Sequence, residues 1–69
     1  MNVYQVSFCE RGYWSKPYSY LSKSLFKDGD IVVVPTGSFY SVGKITGIGD
    51  FSKLKEGITY KEIIQKLDL

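Results

Sequence analysis

The chain has 69 residues, of which 43% are hydrophobic and 16% aromatic, so it has room for one small core and is too apolar for a disordered chain. We therefore expect a single domain over residues 1–69. Nine Lys and Arg against seven Asp and Glu give a net charge of +2, which does not by itself indicate a nucleic-acid partner. Arg11 is the only Arg, which disfavours bidentate readout of duplex base edges but leaves Lys contacts to phosphate open.

The single cysteine, Cys9, cannot form an internal disulfide, which favours a reducing compartment. No apolar run approaches the ~20 residues of a membrane helix. Residues 1–6 lack a basic segment followed by an apolar stretch, so no signal peptide is predicted. We expect a protein of the bacterial or host cytoplasm with no membrane partner.

Two strands are predicted in the first third of the chain. Residues 2–8 carry Val, Tyr and Phe side chains in a pattern typical of a partly buried strand. Residues 9–17 read as a loop that is polar at its start and aromatic in its middle. Residues 18–21 form the second predicted strand, since Pro17 favours extended backbone at the residue before it.

A β-hairpin is predicted in the centre of the chain. Asp28-Gly29 supplies turn chemistry, and residues 31–34 are four β-branched side chains in a row. Pro35 cannot donate to a sheet ladder, so we expect the strand to end there. Gly37 permits a bend before the second strand, in which side chains at 42, 44 and 46 share one face.

The pattern over residues 58–67 is ambiguous. Tyr60, Ile63, Ile64 and Leu67 follow helical spacing, whereas the residue types favour a strand. Several short strands separated by turns predict an all-β fold, a single small β-barrel or roll of about five to six strands, similar in size to OB or SH3 domains.

No constellation for catalysis or metal binding is found. Without His there is no imidazole base, and one Cys makes neither a zinc site nor a Cys-His nucleophile. Turn chemistry accounts for Asp28 and Asp30 without a metal. We predict no catalytic residues, no metal site, no cofactor and no enzyme activity.

Aromatic side chains are the more informative group. They can stack on unpaired bases beside lysines that follow phosphates, or they can form the core of a small domain. Tyr20 and Phe39 fit the core, whereas Tyr13 and Trp14 lie in a predicted loop, where exposure to a partner is as plausible as packing. The candidate partner surface consists of Tyr13, Trp14, Tyr40, Lys16 and Lys44.

Several segments follow one another in an order that resembles a known module. They are Val3-Tyr4-Gln5-Val6, Tyr18-Ser19-Tyr20-Leu21, Asp28-Gly29-Asp30, Val32-Val33-Val34-Pro35-Thr36-Gly37, Val42-Gly43-Lys44-Ile45 and Lys61-Glu62-Ile63-Ile64. This ordered set resembles the N-terminal 3′-end DNA-binding domain of the primosomal protein N′ family, the replication-restart helicases. The resemblance runs over nearly the whole chain, and the set is more specific than any one segment.

The resemblance implies a small β-barrel that holds the 3′-terminal nucleotide of a DNA strand at a fork. It also implies a strand over residues 60–67, which we adopt over the helical periodicity. The positions that match the family's pocket are Tyr18, Ser19, Gly37 and Lys61. By this resemblance Tyr18 stacks on a base, Gly37 lets the backbone approach the nucleotide, and Lys61 meets phosphate. Ser19 stands where the family has an acidic residue, and its hydroxyl can still accept a hydrogen bond.

The predicted function is therefore a non-enzymatic module that binds single-stranded DNA or DNA 3′ ends in replication or replication restart. The sequence holds no Walker loop or helicase core, so we expect no motor activity, and a free-standing copy suits a phage or mobile-element protein. The alternative is a protein-interaction module that contacts a host replication or defence protein through Tyr13, Trp14 and Tyr40. Pairing through an open strand edge would give a homodimer.

Overall fold

The computed structural model describes residues 1–68, so that Leu69, the last residue of the predicted domain, lies outside the described part. The strands are β1 (Asn2–Ser7), β2 (Cys9–Glu10), β3 (Tyr13–Trp14), β4 (Tyr18–Ser22), β5 (Ile31–Thr36), β6 (Phe39–Ile48) and β7 (Gln65–Lys66). A three-residue 3₁₀ turn, Phe51–Lys53, follows β6. Within residues 1–68 no helix is long or apolar enough to cross a membrane.

Two antiparallel sheets make up the fold. Five strands form one sheet in the order β4-β1-β6-β5-β7, and β2 pairs with β3 in a separate two-stranded ribbon. The prediction of an all-β fold is confirmed, and of the predicted forms the open roll applies, because the sheet does not close into a barrel. Residues 1–68 contain seven strands, which is more than the expected five to six, because the two strands of the short ribbon were not predicted.

That ribbon lies inside the predicted loop over residues 9–17. Arg11 and Gly12 both have positive φ, +50° and +85°, which is the backbone of a tight two-residue hairpin turn. The turn folds β3 back onto β2, so that Cys9 pairs with Trp14 and Glu10 pairs with Tyr13. The prediction of a plain loop was wrong here, because a non-glycine residue with positive φ gives no clear sequence signal.

The central hairpin has the predicted turns, with positive φ at Gly29 and Gly37, but β5 does not end at Pro35. Pro35 pairs with Tyr40, and the strand continues to Thr36. The reason lies at the sheet edge. Val33 accepts a hydrogen bond from Ile64 across that edge, and Pro35, two residues further along, presents its nitrogen to the same edge beyond the end of β7. Its missing N–H therefore costs no ladder bond.

The C-terminal segment is extended but is not one continuous strand. Only β7 and an isolated parallel bridge between Leu21 and Glu62 are formed over residues 60–67. The amide of Ile63 donates to Leu21 of β4 at 2.8 Å, and the next amide, that of Ile64, donates to Val33 of β5 at 2.8 Å. Because the segment changes partner between adjacent residues, the predicted strand is interrupted. No helix forms over residues 60–67, so the helical alternative does not apply. We call residues 61–67 the closing segment.

A small core lies between the sheet and the closing segment. Its buried members are Tyr4, Val6, Tyr20, Val32, Val34, Ile45 and Ile63, with Phe8 and Phe26 packed against them. The Tyr4 ring meets Phe26 edge-on at a centroid distance of 5.3 Å, and the amide of Phe26 donates to the Tyr4 hydroxyl at 2.9 Å. These contacts attach the segment between β4 and β5 to β1.

Gly43 of β6 lies in close contact with β1. A Cβ atom at this position would come within 2.5 Å of Val6 Cγ1 and 3.1 Å of the Ser7 carbonyl oxygen. Val6 is fully buried and has no room to move. A Cβ at Gly47 in the same strand would meet no atom within 4 Å.

We expect Gly43→Ala to lower the free energy of unfolding by about 1–3 kcal/mol, because the added methyl overpacks the core against Val6. The matched change Gly47→Ala should stay within about 0.5 kcal/mol of the parent. Urea denaturation followed by circular dichroism measures both. Equal effects of the two substitutions would contradict the close packing of β1 on β6 at Gly43.

Candidate functional site

An open cleft of about 670 Å³ lies where β4, the β5–β6 turn and the start of the closing segment meet. One wall comes from Phe8 and the ribbon strand β2, and the other comes from the turn and the closing segment. The lining residues include Glu10, Tyr18, Tyr20, Pro35, Thr36, Gly37, Tyr60 and Lys61. Residues far apart in sequence thus form one concave surface.

The four residues predicted by the resemblance, Tyr18, Ser19, Gly37 and Lys61, all line this cleft. Lys61 Nζ donates a hydrogen bond to the Gly37 carbonyl oxygen at 3.3 Å, which joins the closing segment to the turn. The Tyr18 ring is 47% exposed and packs against Phe8 at a centroid distance of 5.9 Å. The cleft therefore holds a half-exposed aromatic ring and an exposed cation.

Ser19 contributes to the cleft differently from its neighbours. Side chains alternate along β4, so Ser19 points away from the face that carries Tyr18 and Tyr20. Its Oγ accepts a hydrogen bond from Gln5 Nε2 of β1 at 3.2 Å. The Ser19 hydroxyl is thus already paired on the opposite face of the sheet.

Tyr20 links the two sides of the cleft. Its ring is buried, and its hydroxyl donates to the Pro35 carbonyl oxygen at 3.1 Å, which connects β4 with β5 across the core. Burial raises the pKa of the Tyr20 phenol above its usual 10.0, and the neighbouring Tyr18 hydroxyl adds to this effect. Tyr20 holds the cleft's shape and presents little surface to a ligand.

Several lining residues were not predicted from the sequence. Glu10, which lies on the unpredicted ribbon, lines the cleft. Ser41 of β6 also lines the cleft, and its hydroxyl lies 2.7 Å from that of Thr36, a residue of the predicted Pro35-Thr36-Gly37 corner. Tyr60 accepts a hydrogen bond from the Lys55 amide at 2.9 Å, which anchors the loop before the closing segment. Polar residues of these kinds carry no periodic signal, so only the fold reveals their place.

The predicted partner surface divides into separate parts. Tyr13 and Trp14 lie on the ribbon, where they are 79% and 51% exposed and line a second open cleft of about 730 Å³ with Glu10, Arg11 and Ser15. Lys44 Nζ sits 4.0 Å from the Trp14 ring centroid, and Lys16 Nζ sits 5.8 Å from that of Tyr18. Tyr40, 70% exposed on β6, lines neither of these two clefts. The neighbouring Phe39 was expected in the core, and that prediction was wrong, because its side chain at the start of β6 is 76% exposed.

Among residues 1–68, no group of three or more His, Cys, Asp and Glu is arranged to hold a metal ion. Cys9 is a free, exposed thiol at the ribbon. Comparison with protein-family models, curated proteins and solved structures gave no significant match.

We expect Tyr20→Phe to destabilise the protein by about 0.5–1.5 kcal/mol at neutral pH, because it removes the hydrogen bond to Pro35. The raised pKa favours the neutral phenol in the folded state. The stabilisation that the neutral Tyr20 phenol contributes is therefore present below about pH 10. It is lost as the pH rises through the folded-state pKa of Tyr20.

The difference in unfolding free energy between the parent and Tyr20→Phe should shrink above about pH 10, since the variant lacks this titration. Denaturant unfolding at several pH values measures it, with Tyr13→Phe at the exposed ribbon as the control. A difference that stays constant across this range would contradict the buried Tyr20 contact.

Proposed function

We propose that this protein is a non-enzymatic module that binds single-stranded DNA, with a preference for 3′ ends, in replication or replication restart. The observation that supports it most is the convergence of Tyr18, Gly37 and Lys61 on one cleft. These residues come from three distant parts of the chain, and they are the positions that match the pocket of the primosomal protein N′ family.

The chemistry of the cleft suits a nucleotide. A half-exposed Tyr18 ring offers a stacking surface for a base, and base–aromatic stacking contributes about 1–3 kcal/mol per base. Lys61 is exposed and carries its ammonium group beside the Gly37 carbonyl, where it can exchange that weak contact for a phosphate oxygen. Gly37 has no side chain, so the β5–β6 turn leaves room for a sugar.

A terminal hydroxyl needs an acceptor in the cleft. The Ser19 hydroxyl is engaged by Gln5, so we assign this role instead to the carboxylate of Glu10, which lines the cleft. A charged acceptor forms the stronger hydrogen bond with a hydroxyl donor. The same carboxylate repels a 3′-phosphate, which gives the proposed preference for 3′-hydroxyl ends.

The setting that fits this activity is a reducing cytoplasm, in which Cys9 stays a free thiol. A small phage or mobile-element protein with this activity would act at host replication forks. A second candidate function is a protein-interaction module, which the high exposure of Tyr13, Trp14 and Tyr40 favours. Salt separates the two, because phosphate contacts weaken steeply with ionic strength and aromatic contacts do not.

We expect Lys61→Ala to weaken binding of a single-stranded oligonucleotide at low salt, because one phosphate contact is lost. The slope of log affinity against log salt should become shallower by about 0.7, the value for one contact on a single strand. Fluorescence anisotropy with 3′-hydroxyl and 3′-phosphate oligonucleotides at several salt concentrations measures both quantities.

Lys53→Ala is the matched control, because it removes the same charge from the exposed 3₁₀ turn and leaves the cleft intact. Its affinity should fall less than that of Lys61→Ala. No binding of either oligonucleotide at low salt would refute DNA binding. Equal affinity for the two ends would reject 3′-end preference and the role of Glu10 while keeping single-strand binding.

A further inference from the structure

We propose that the bound strand continues from the first cleft onto the ribbon, where the next base stacks on Trp14. This inference rests on the proposed function and extends it from a one-nucleotide pocket to a two-part binding path. The second cleft, lined by Arg11, Tyr13, Trp14 and Ser15 together with Glu10, is the added part of the site.

The two clefts adjoin each other. Glu10 of β2 lines both of them, so the ribbon forms a wall of the first cleft and the floor of the second. Trp14 and Tyr18 are separated by only three residues, Ser15 to Pro17. The shared residue Glu10 gives a strand bound in the first cleft a route into the second.

Trp14 is held ready to stack. The base of the ribbon is fixed by two hydrogen bonds between Phe8 and Ser15, one at 2.7 Å between main-chain atoms and one at 3.0 Å to the Ser15 hydroxyl. Lys44 packs its ammonium group over the indole at 4.0 Å, which fixes the ring's orientation. Trp14 is still 51% exposed, so part of its surface remains open to a base.

The charges along this path favour a polyanion. Arg11 lines the second cleft, Lys44 and Lys16 lie over the aromatic rings, and Lys61 lines the first cleft. Among the residues that line the two clefts, Glu10 is the one acidic side chain. Alternating cations and exposed rings are the arrangement that tracks a single-stranded backbone and stacks its bases.

A protein partner fits the second cleft less well. A protein hot spot also uses Trp, Tyr and Arg, but it sets them in a well-packed, desolvated pocket. The residues lining this cleft include two aromatics, two charged side chains and one serine, with no aliphatic side chain among them. Stacking needs only an aromatic face, so a base is the better occupant.

The test uses the fact that Trp14 is the only tryptophan. Oligothymidylates with 3′-hydroxyl ends and lengths of one to six nucleotides are titrated into the full chain, with affinity measured by calorimetry and stacking by tryptophan fluorescence. We expect affinity to rise on going from one nucleotide to two or three. The longer oligonucleotides should quench the fluorescence and the mononucleotide should not.

Trp14→Ala should lower affinity for the longer oligonucleotides by about tenfold and leave mononucleotide affinity unchanged. Trp14→Phe should recover part of the loss, because the ring is retained. Phe51→Ala, which truncates an exposed ring on the 3₁₀ turn, is the matched control and should change neither affinity.

The outcomes separate the two proposals. If no oligonucleotide binds at any length, the proposed function and its extension both fail. If oligonucleotides bind and Tyr18→Ala weakens them, but Trp14→Ala and the fluorescence show no change, only the extension is overturned, and Trp14 is left for a protein partner. Equal loss at every length in Trp14→Ala also overturns the extension, since Trp14 then acts on the first cleft.

Discussion

The fold depends on two adjacent amides in the closing segment. Ile63 donates to β4 and Ile64 donates to β5, so neighbouring residues are bonded to the two outer strands of the β4-β1-β6-β5 part of the sheet. This geometry draws the two strands together around the cluster of seven buried residues found within residues 1–68. It also carries Lys61 to the β5–β6 turn. Without this segment, the first cleft would lose one wall and the core would lose Ile63.

Much of the fold could be predicted from the sequence because the dominant signals were local. β-branched runs gave β5, and the Asp28-Gly29 turn was evident from residue type. The errors arose where long-range geometry decides. Pro35 continues a strand because its nitrogen faces an uncovered edge, and the closing segment changes partner between two residues. Neither condition can be read from the residues alone, because both depend on which strand lies alongside.

Some residues of the candidate site were predicted and others were not, again because long-range geometry decides which residues meet. Tyr18, Gly37 and Lys61 came from an ordered resemblance, and they line one cleft. Ser19 came from the same resemblance, yet strand alternation turns its hydroxyl toward Gln5. Glu10 was missed, since it reaches the cleft through a ribbon whose turn carries Arg11 in a left-handed conformation. A single charged residue in a presumed loop gives no signal of its place.

The edge of β5 shows how the protein limits aggregation. Along this edge the carbonyl oxygens of Ile31 and Val33 accept hydrogen bonds from amides of the closing segment. The Pro35 carbonyl oxygen accepts one from the Tyr20 hydroxyl. Pro35 itself has no hydrogen to donate. A strand from another molecule that approached β5 here would find these acceptors occupied and no donor at Pro35, so β5 itself resists intermolecular pairing.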